Sequence, residues 1–284
     1  MPKHISKEKE QAIITKYKEK PITFEQLATI FHISIPTAQK IIKKYRITPW
    51  KKNQLFSPDL KENYFENIDS DEKAYFVGLL TTDGCVFWKN HKHAFISIEL
   101  KATDKYILEQ LMESVCCNRK LVYNKRSNTY TATITSSKMV KDLEQYNIKP
   151  KSSSTQELAT NIPSEYFAGY MRGILDGDGS YGFYARPKRK SHSKSIRLSS
   201  GNRLFLEQWI NATSAQLQIA PVSIYASQSD RSYTIEYKRN NDLETIIEYV
   251  YAPNGPHLLR KKEIANKILT EIRQYRDNRN NATS

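Results

Sequence analysis

The sequence predicts an α+β chain: two similar half-domains, each of element order αββαββα, behind a small all-helical segment. Three observations predict it. First, a short phrase occurs twice, as A-Y-F-V-G-L-L-T-T-D-G-C-V at residues 74–86 and as F-A-G-Y-M-R-G-I-L-D-G-D-G-S-Y at residues 167–181. Each copy is an apolar run of helix length with small residues four apart, Ala74 and Gly78 in one, Gly169 and Gly173 in the other. Small residues at that spacing let two helix backbones come close. Each run closes on Asp-Gly and leads into a strand-like stretch. Second, the elements that follow the two copies come in the same order, so the repeat is structural as well as verbal. Third, residues 1–50 carry helix signals only.

In chain order, Lys7 to Lys18 reads as a helix with Ile13, Ile14 and Tyr17 on one face. Thr23, with Gln26 three positions on, can cap a second helix whose apolar face is Leu27, Ala28 and Phe31. Ser34 caps a third, in which Ala38, Ile41 and Ile42 face inward. This is helix-turn-helix spacing, with His32 where a glycine is usual, so His32 must accept an unusual backbone conformation. Thr37, Gln39, Lys40, Lys43 and Lys44 lie on the polar side of the third helix and are the candidate DNA contacts of a domain spanning 1–50.

Residues 51–70 read as an extended polar linker with two prolines. Ser70 caps the first repeated helix. A first half-domain then spans 71–152. It contains a hairpin over C-V-F-W-K and A-F-I-S-I-E-L-K and a helix with Tyr106, Ile107, Leu111 and Val115 in phase. A second hairpin and a helix from Ser137 follow. The second half-domain, 153–284, repeats the order with a helix over 165–177 and a last helix from about Pro256 to Arg276. Its first hairpin carries a basic tip, R-P-K-R-K-S-H-S-K, at 186–194.

Composition narrows the partners. Lys and Arg number 44 against 30 Asp and Glu, a formal charge of +14, which points to a polyanion and most directly to nucleic acid. The three cysteines, two of them adjacent, have no zinc spacing and read as reduced thiols of an intracellular, cytoplasmic protein. No apolar stretch reaches ~18 residues, so no membrane helix is expected. The triplets at Asn211 and Asn281 match the glycosylation pattern by chance in a chain without a signal peptide.

The chemistry lies in the closing acids, Asp83 and Asp178. A helix C-terminus already carries partial negative charge, so a carboxylate there is unfavourable, and two such ends side by side compound the repulsion. A hard divalent cation between them relieves it, bound by the two carboxylates, the backbone at Gly84 and Gly179, and water. Both glycines are also expected to end their helices in the left-handed conformation. Asp176-Gly-Asp178-Gly-Ser180 begins like a calcium loop. The sixth and twelfth positions, Tyr181 and Pro187, exclude an EF-hand.

The two phrases resemble the paired signature motifs of the LAGLIDADG homing endonuclease family. F-V-G-L-L-T-T-D-G (76–84) and M-R-G-I-L-D-G-D-G (171–179) stand for the nine-residue signature, and the likeness extends over roughly residues 60–275. It implies two half-domains forming a saddle over a DNA duplex. The implied enzyme is a monomeric, intron-encoded, site-specific endonuclease that hydrolyses both strands of a long non-palindromic target with Mg²⁺, for which Mn²⁺ can substitute. Asp83 and Asp178 would be its catalytic and metal-binding acids. The sixth signature position, Thr81 in one copy and Asp176 in the other, reads as a capping or packing residue. The family's basic residues map to N-I-K-P-K-S (147–152), nominating Lys151, and to H-L-L-R-K-K (257–262), nominating Lys261. Either could stabilise charge on the attacked phosphate.

Strands laid in a major groove read bases through alternate side chains. Those side chains include Ser97 and Glu99 on one hairpin and Thr131, Thr133 and Thr135 on another, with Tyr225 and Glu236 in the second half. Lys125, Arg197 and Lys238 supply basic contacts, and Arg186, Lys188, Arg189 and Lys190 of the basic tip reach phosphates. The alternative reading is a non-cleaving regulator or intron maturase on the same scaffold. A binding-only descendant would be free to lose Asp83 or Asp178, and both are present. A third reading is an intein; the ends M-P-K and N-A-T-S, without the splicing nucleophile and terminal His-Asn, argue for a free-standing enzyme.

Overall fold

Alternation and helical periodicity place the elements, and burial shows which faces they present. The computed structural model describes residues 5–50, 57–89, 93–150, 155–187, 191–227 and 231–283. The chain divides into two compact units, Met1–Lys61 with Met112–Arg119, and Glu62–Leu111 with Lys120–Ser284.

The first unit is built on three helices, α1 (Lys7–Glu19), α2 (Phe24–Phe31) and α3 (Ile35–Lys44). Thr23 and Gln26 form a reciprocal capping box at α2, and the Ser34 hydroxyl accepts from the Thr37 amide at α3. Between them His32 sits at φ 49, ψ 53, the left-handed position expected of it. Ile13, Leu27, Ala38 and Ile42 close the core, and Tyr17 stacks on Phe24 at 5.6 Å. The last residues of the unit are tied by the Ser57 hydroxyl, which donates to the Cys117 thiol and accepts from the Asn118 amide.

The second unit holds both halves. In the first, α4 (Asp71–Asp83) leads to β1 (Gly84–Lys89), β2 (His93–Lys101), α5 (Lys105–Ser114), β3 (Val122–Asn124), β4 (Thr129–Thr135) and α6 (Ser137–Glu144). In the second, a 3₁₀ turn at Ser164–Tyr166 precedes α7 (Phe167–Gly177). Then come β5 (Gly179–Ala185), β6 (His192–Ser200), α8 (Arg203–Leu217), β7 (Ile224–Ala226), β8 (Tyr233–Tyr237), α9 (Asn240–Tyr251) and α10 (Leu259–Thr283). The two sheets are antiparallel and share one order, β1-β2-β4-β3 and β5-β6-β8-β7. The α+β fold of two like halves is therefore the one expected.

Each sheet has one dry and one wet face. Ile96, Ile98, Ala132 and Ile134 are buried while Ser97, Glu99, Thr131 and Thr133 alternate with them. Leu198 and Ile235 do the same in the second sheet against Arg197, Ser199, Thr234 and Glu236. All cysteines are free, and no described helix is long and apolar enough to cross a membrane.

Three expectations need correction. Gly84 and Gly179 do not adopt the left-handed conformation; Gly84 is extended at φ −80, ψ 146, and no glycine has positive φ. Glycine is needed there for space, since a Cβ on Gly84 would come within 2.8 Å of Leu80 Cα and one on Gly179 within 2.5 Å of the Leu175 carbonyl oxygen. The stretch read as a polar linker is packed over part of its length, with Tyr64, Phe65 and Ile68 buried. The basic tip is shorter than expected, because β6 begins at His192.

Candidate active site

The site starts from two helices that are buried all round. Residues 74–81 of α4 and 168–176 of α7 are buried without a break, as in helices enclosed by protein on every side. They pack against each other more extensively than any other pair of elements. The small residues make this possible. A Cβ on Gly78 would lie 3.0 Å from the Tyr170 carbonyl carbon, and one on Gly173 would lie 2.6 Å from the Leu79 amide nitrogen. Gly169 meets the Asp71 carbonyl oxygen in the same way, and Ala74 is fully buried. The expected interface of Ala74, Gly78, Gly169 and Gly173 is thus the crossing point of the two helices.

Because the helices run together, their ends do too. Asp83 closes α4 and Asp178 is the C-cap of α7. An added Cβ on Gly177 would be 3.3 Å from Asp83 Oδ2, so the Asp83 carboxylate reaches the end of the opposite helix. Burial, then the negative charge of Asp178, push Asp83 up to about 6, with Lys261 and Arg260 opposing. Burial also raises Asp178, although one side of it is open to solvent.

No third acid, histidine or cysteine joins them to make a cation cage among the described residues. Two carboxylates with raised proton affinity, one of them exposed, make a partial donor set that water and phosphate oxygens would have to complete around a divalent cation.

Lys261 is the unexpected part of the site. It is buried, and its ammonium donates to the carbonyl oxygens of Leu175 (2.8 Å), Asp176 (2.5 Å), Gly177 (3.2 Å) and Gly179 (2.6 Å). It caps α7, placing a positive charge on the negative end of the helix. Burial lowers it to about 8 against the pull of Asp176 and the two site acids. Three ammonium protons shared among four carbonyls leave none for a phosphate. The Gly179 carbonyl, expected among the metal ligands, accepts one of these hydrogen bonds.

Thr81 and Asp176, at the sixth signature position, differ in burial chemistry. Thr81 donates to the Val77 carbonyl of its own helix. Asp176 is buried and accepts from the Tyr75 hydroxyl (3.0 Å) and the Leu258 amide (2.7 Å), which fixes the entry of α10 and so the position of Lys261. Arg172 secures the same loop, donating to the Val250 and Pro256 carbonyls and pairing with Asp71. Beside Lys261, Arg260 is half exposed and braced by its Nε on the buried Asp104 (2.9 Å), an available cation near Asp83.

Lys151, Lys188, Arg189 and Lys190 lie outside the described residues. Arg186 and Lys125 are exposed, whereas Arg197 and Lys238 both pair with Glu236. In the first unit Gln39, Lys40 and Lys43 are exposed on α3. Lys44 is taken up by Glu10 of α1 (2.6 Å), and the Thr37 hydroxyl bonds to Ser34.

No protein-family description and no curated protein matches the chain. Solved structures do. The chain is similar to the I-LtrWI LAGLIDADG homing endonuclease bound to target DNA, with a TM-score of 0.53 and 11% identity over 76% of this chain and 92% of that one. Meganuclease I-SmaMI bound to uncleaveable DNA gives 0.54 and 13% over 75% and 92%. I-GzeII, a LAGLIDADG homing endonuclease in complex with its DNA target, gives 0.51 and 13% over 72% and 91%. The fold is that of the LAGLIDADG homing endonucleases. Asp83 and Asp178 thus close the two central helices of a LAGLIDADG fold.

Proposed function

We propose that the chain is a site-specific homing endonuclease that hydrolyses both strands of a long, non-palindromic DNA duplex with Mg²⁺. One observation carries this reading: the carboxylates of Asp83 and Asp178 meet at the ends of two helices packed at glycine distance, in a unit whose two sheets each keep a wet face. Bound there, a divalent cation supplies Lewis-acid polarisation of the phosphate and eases ionisation of water. The protein's own part is to hold the two carboxylates in place. Lys261 does so for Asp178 by fixing the last turn of α7, and it offsets the helix-end charge that would otherwise repel a phosphate. Arg260, half exposed and held through its Nε by Asp104, is the cation offered to the phosphate itself. The Gln39, Lys40 and Lys43 face of α3 extends the contact with DNA backbone.

The unequal sheets in one chain suit a monomer on an asymmetric site. The test is linearisation, with Mg²⁺, of a plasmid carrying the locus that flanks the gene. Asp83→Asn or Asp178→Asn should abolish cutting and leave binding largely intact. Wild-type protein that binds the locus yet cuts it with neither Mg²⁺ nor Mn²⁺ would be a non-cleaving regulator or maturase.

A further inference from the structure

We propose that Arg197 reads a guanine in the half-site under the second sheet, and that Glu236 is the residue that positions it. The inference rests on the reading of the wet sheet faces as the DNA-contacting surface.

Pairing register makes the two halves comparable row by row. Two residues beyond Asp83, the row across the first sheet is Cys85, Ser97 and Thr133. Two residues beyond Asp178, the matching row across the second is Ser180, Arg197 and Glu236. Each row starts about 7 Å along the strand from its acid. One row offers small neutral groups and the other an ion pair.

The geometry of that pair is specific. Arg197 Nε donates to Glu236 Oε1 at 2.6 Å, and Glu236 Oε2 pairs with Lys238 at 2.5 Å. The Glu236 side chain is 12% exposed and the Arg197 side chain 51%. The carboxylate is thus seated in the sheet while the guanidinium stands out from it. Glu236 takes the Nε edge, and the terminal Nη groups bond to no described residue. An arginine braced in this way presents its fork in one orientation, which suits bidentate bonding to guanine O6 and N7 in a major groove. A carboxylate-braced fork is less suited to a phosphate contact, because the brace cancels much of the net charge that a phosphate would seek. The matching row of the first sheet, Cys85, Ser97 and Thr133, carries no basic side chain, so the guanine requirement belongs to one half-site only.

The experiment is selection of bound duplexes from a randomised DNA library in metal-free buffer, with wild type, Arg197→Ala, Arg197→Lys and Glu236→Gln. The expected result is a wild-type motif with guanine at one position of one half. Arg197→Ala and Arg197→Lys should both lose roughly tenfold to hundredfold preference there, and Glu236→Gln should weaken it. Lysine keeps the charge and loses the fork, so a motif retained by Arg197→Lys would assign a phosphate contact and overturn the proposal. A motif unchanged in Arg197→Ala would also overturn it while leaving site-specific recognition intact. Failure of the wild type to enrich any motif would instead sink the DNA-recognition reading on which the proposal rests.

Discussion

Lys261 holds the carbonyl of Gly179 at 2.6 Å, across the turn that presents Asp178. A lysine nominated for phosphate chemistry is therefore a buried helix cap, and stability is the readout that separates the two roles. Lys261→Met leaves up to four carbonyls of α7 without their donor. At about 1–3 kcal/mol for an unsatisfied buried group, with partial relaxation, the expected loss is about 3 kcal/mol in urea unfolding. A lysine acting on phosphate alone would leave unfolding unchanged.

The helix crossing makes a sharper demand. A Cβ on Gly78 or Gly173 meets backbone atoms of the opposite helix, which cannot rotate away. Gly78→Ala and Gly173→Ala must separate α4 from α7, at a cost of about 2–3 kcal/mol or more. Because Asp83 and Asp178 sit at the ends of those helices, cleavage should fall further than the loss of folded protein accounts for. Measuring both in the same preparations checks this.

Much of this arrangement was legible in the sequence. The repeated phrase located both central helices, and two-residue alternation separated the wet from the dry faces, because both patterns are local. Long-range contacts were not legible. Nothing near Arg172 announces a partner at Asp71, and nothing near Lys261 announces four carbonyls some 80 residues earlier in the chain. The left-handed ends expected of Gly84 and Gly179 failed for a related reason. Glycine there answers to the backbone one turn back, at Leu80 and Leu175, and not to its own φ. Tyr64, Phe65 and Ile68 could have flagged the packed part of the linker, as three apolar residues in five positions.

Glu271 should make the docking of α10 acid-sensitive. Burial alone would raise its carboxyl. Hydrogen bonds from Lys194 and from the His192 amide and ring overcome this and bring it down to about 2. A lowered acid contributes stability that is present above its unfolded value of 4.5 and is lost as pH falls towards 2. The wild type should exceed Glu271→Gln in urea midpoint at pH 6, and the gap should narrow at pH 3 and close only as pH falls through about 2.

Lys40 and Lys43 are exposed on α3, while Lys44 is spent on Glu10. Each free lysine that meets a phosphate adds about 0.9 to the slope of log affinity against log salt. Lys40→Ala with Lys43→Ala should lower that slope by about 2, and Lys44→Ala should leave it nearly unchanged. Fluorescence anisotropy on the target duplex across a salt series distinguishes them.

The last prediction concerns the metal-free protein. Asp83 is raised to about 6 by burial and by Asp178, so its ionised form is disfavoured in the folded state. A raised acid contributes stability below its unfolded value of 3.8, and that contribution is lost as pH rises through 6. At pH 7.5 the charge is therefore a cost, on the order of 1–2 kcal/mol after allowance for its partial exposure. Asp83→Asn removes the charge and should raise Tm in EDTA by a few degrees. Magnesium that binds only the folded site should raise the wild-type Tm with concentration, and Asp83→Asn should lose that dependence. Equal magnesium shifts in both proteins would place the cation elsewhere.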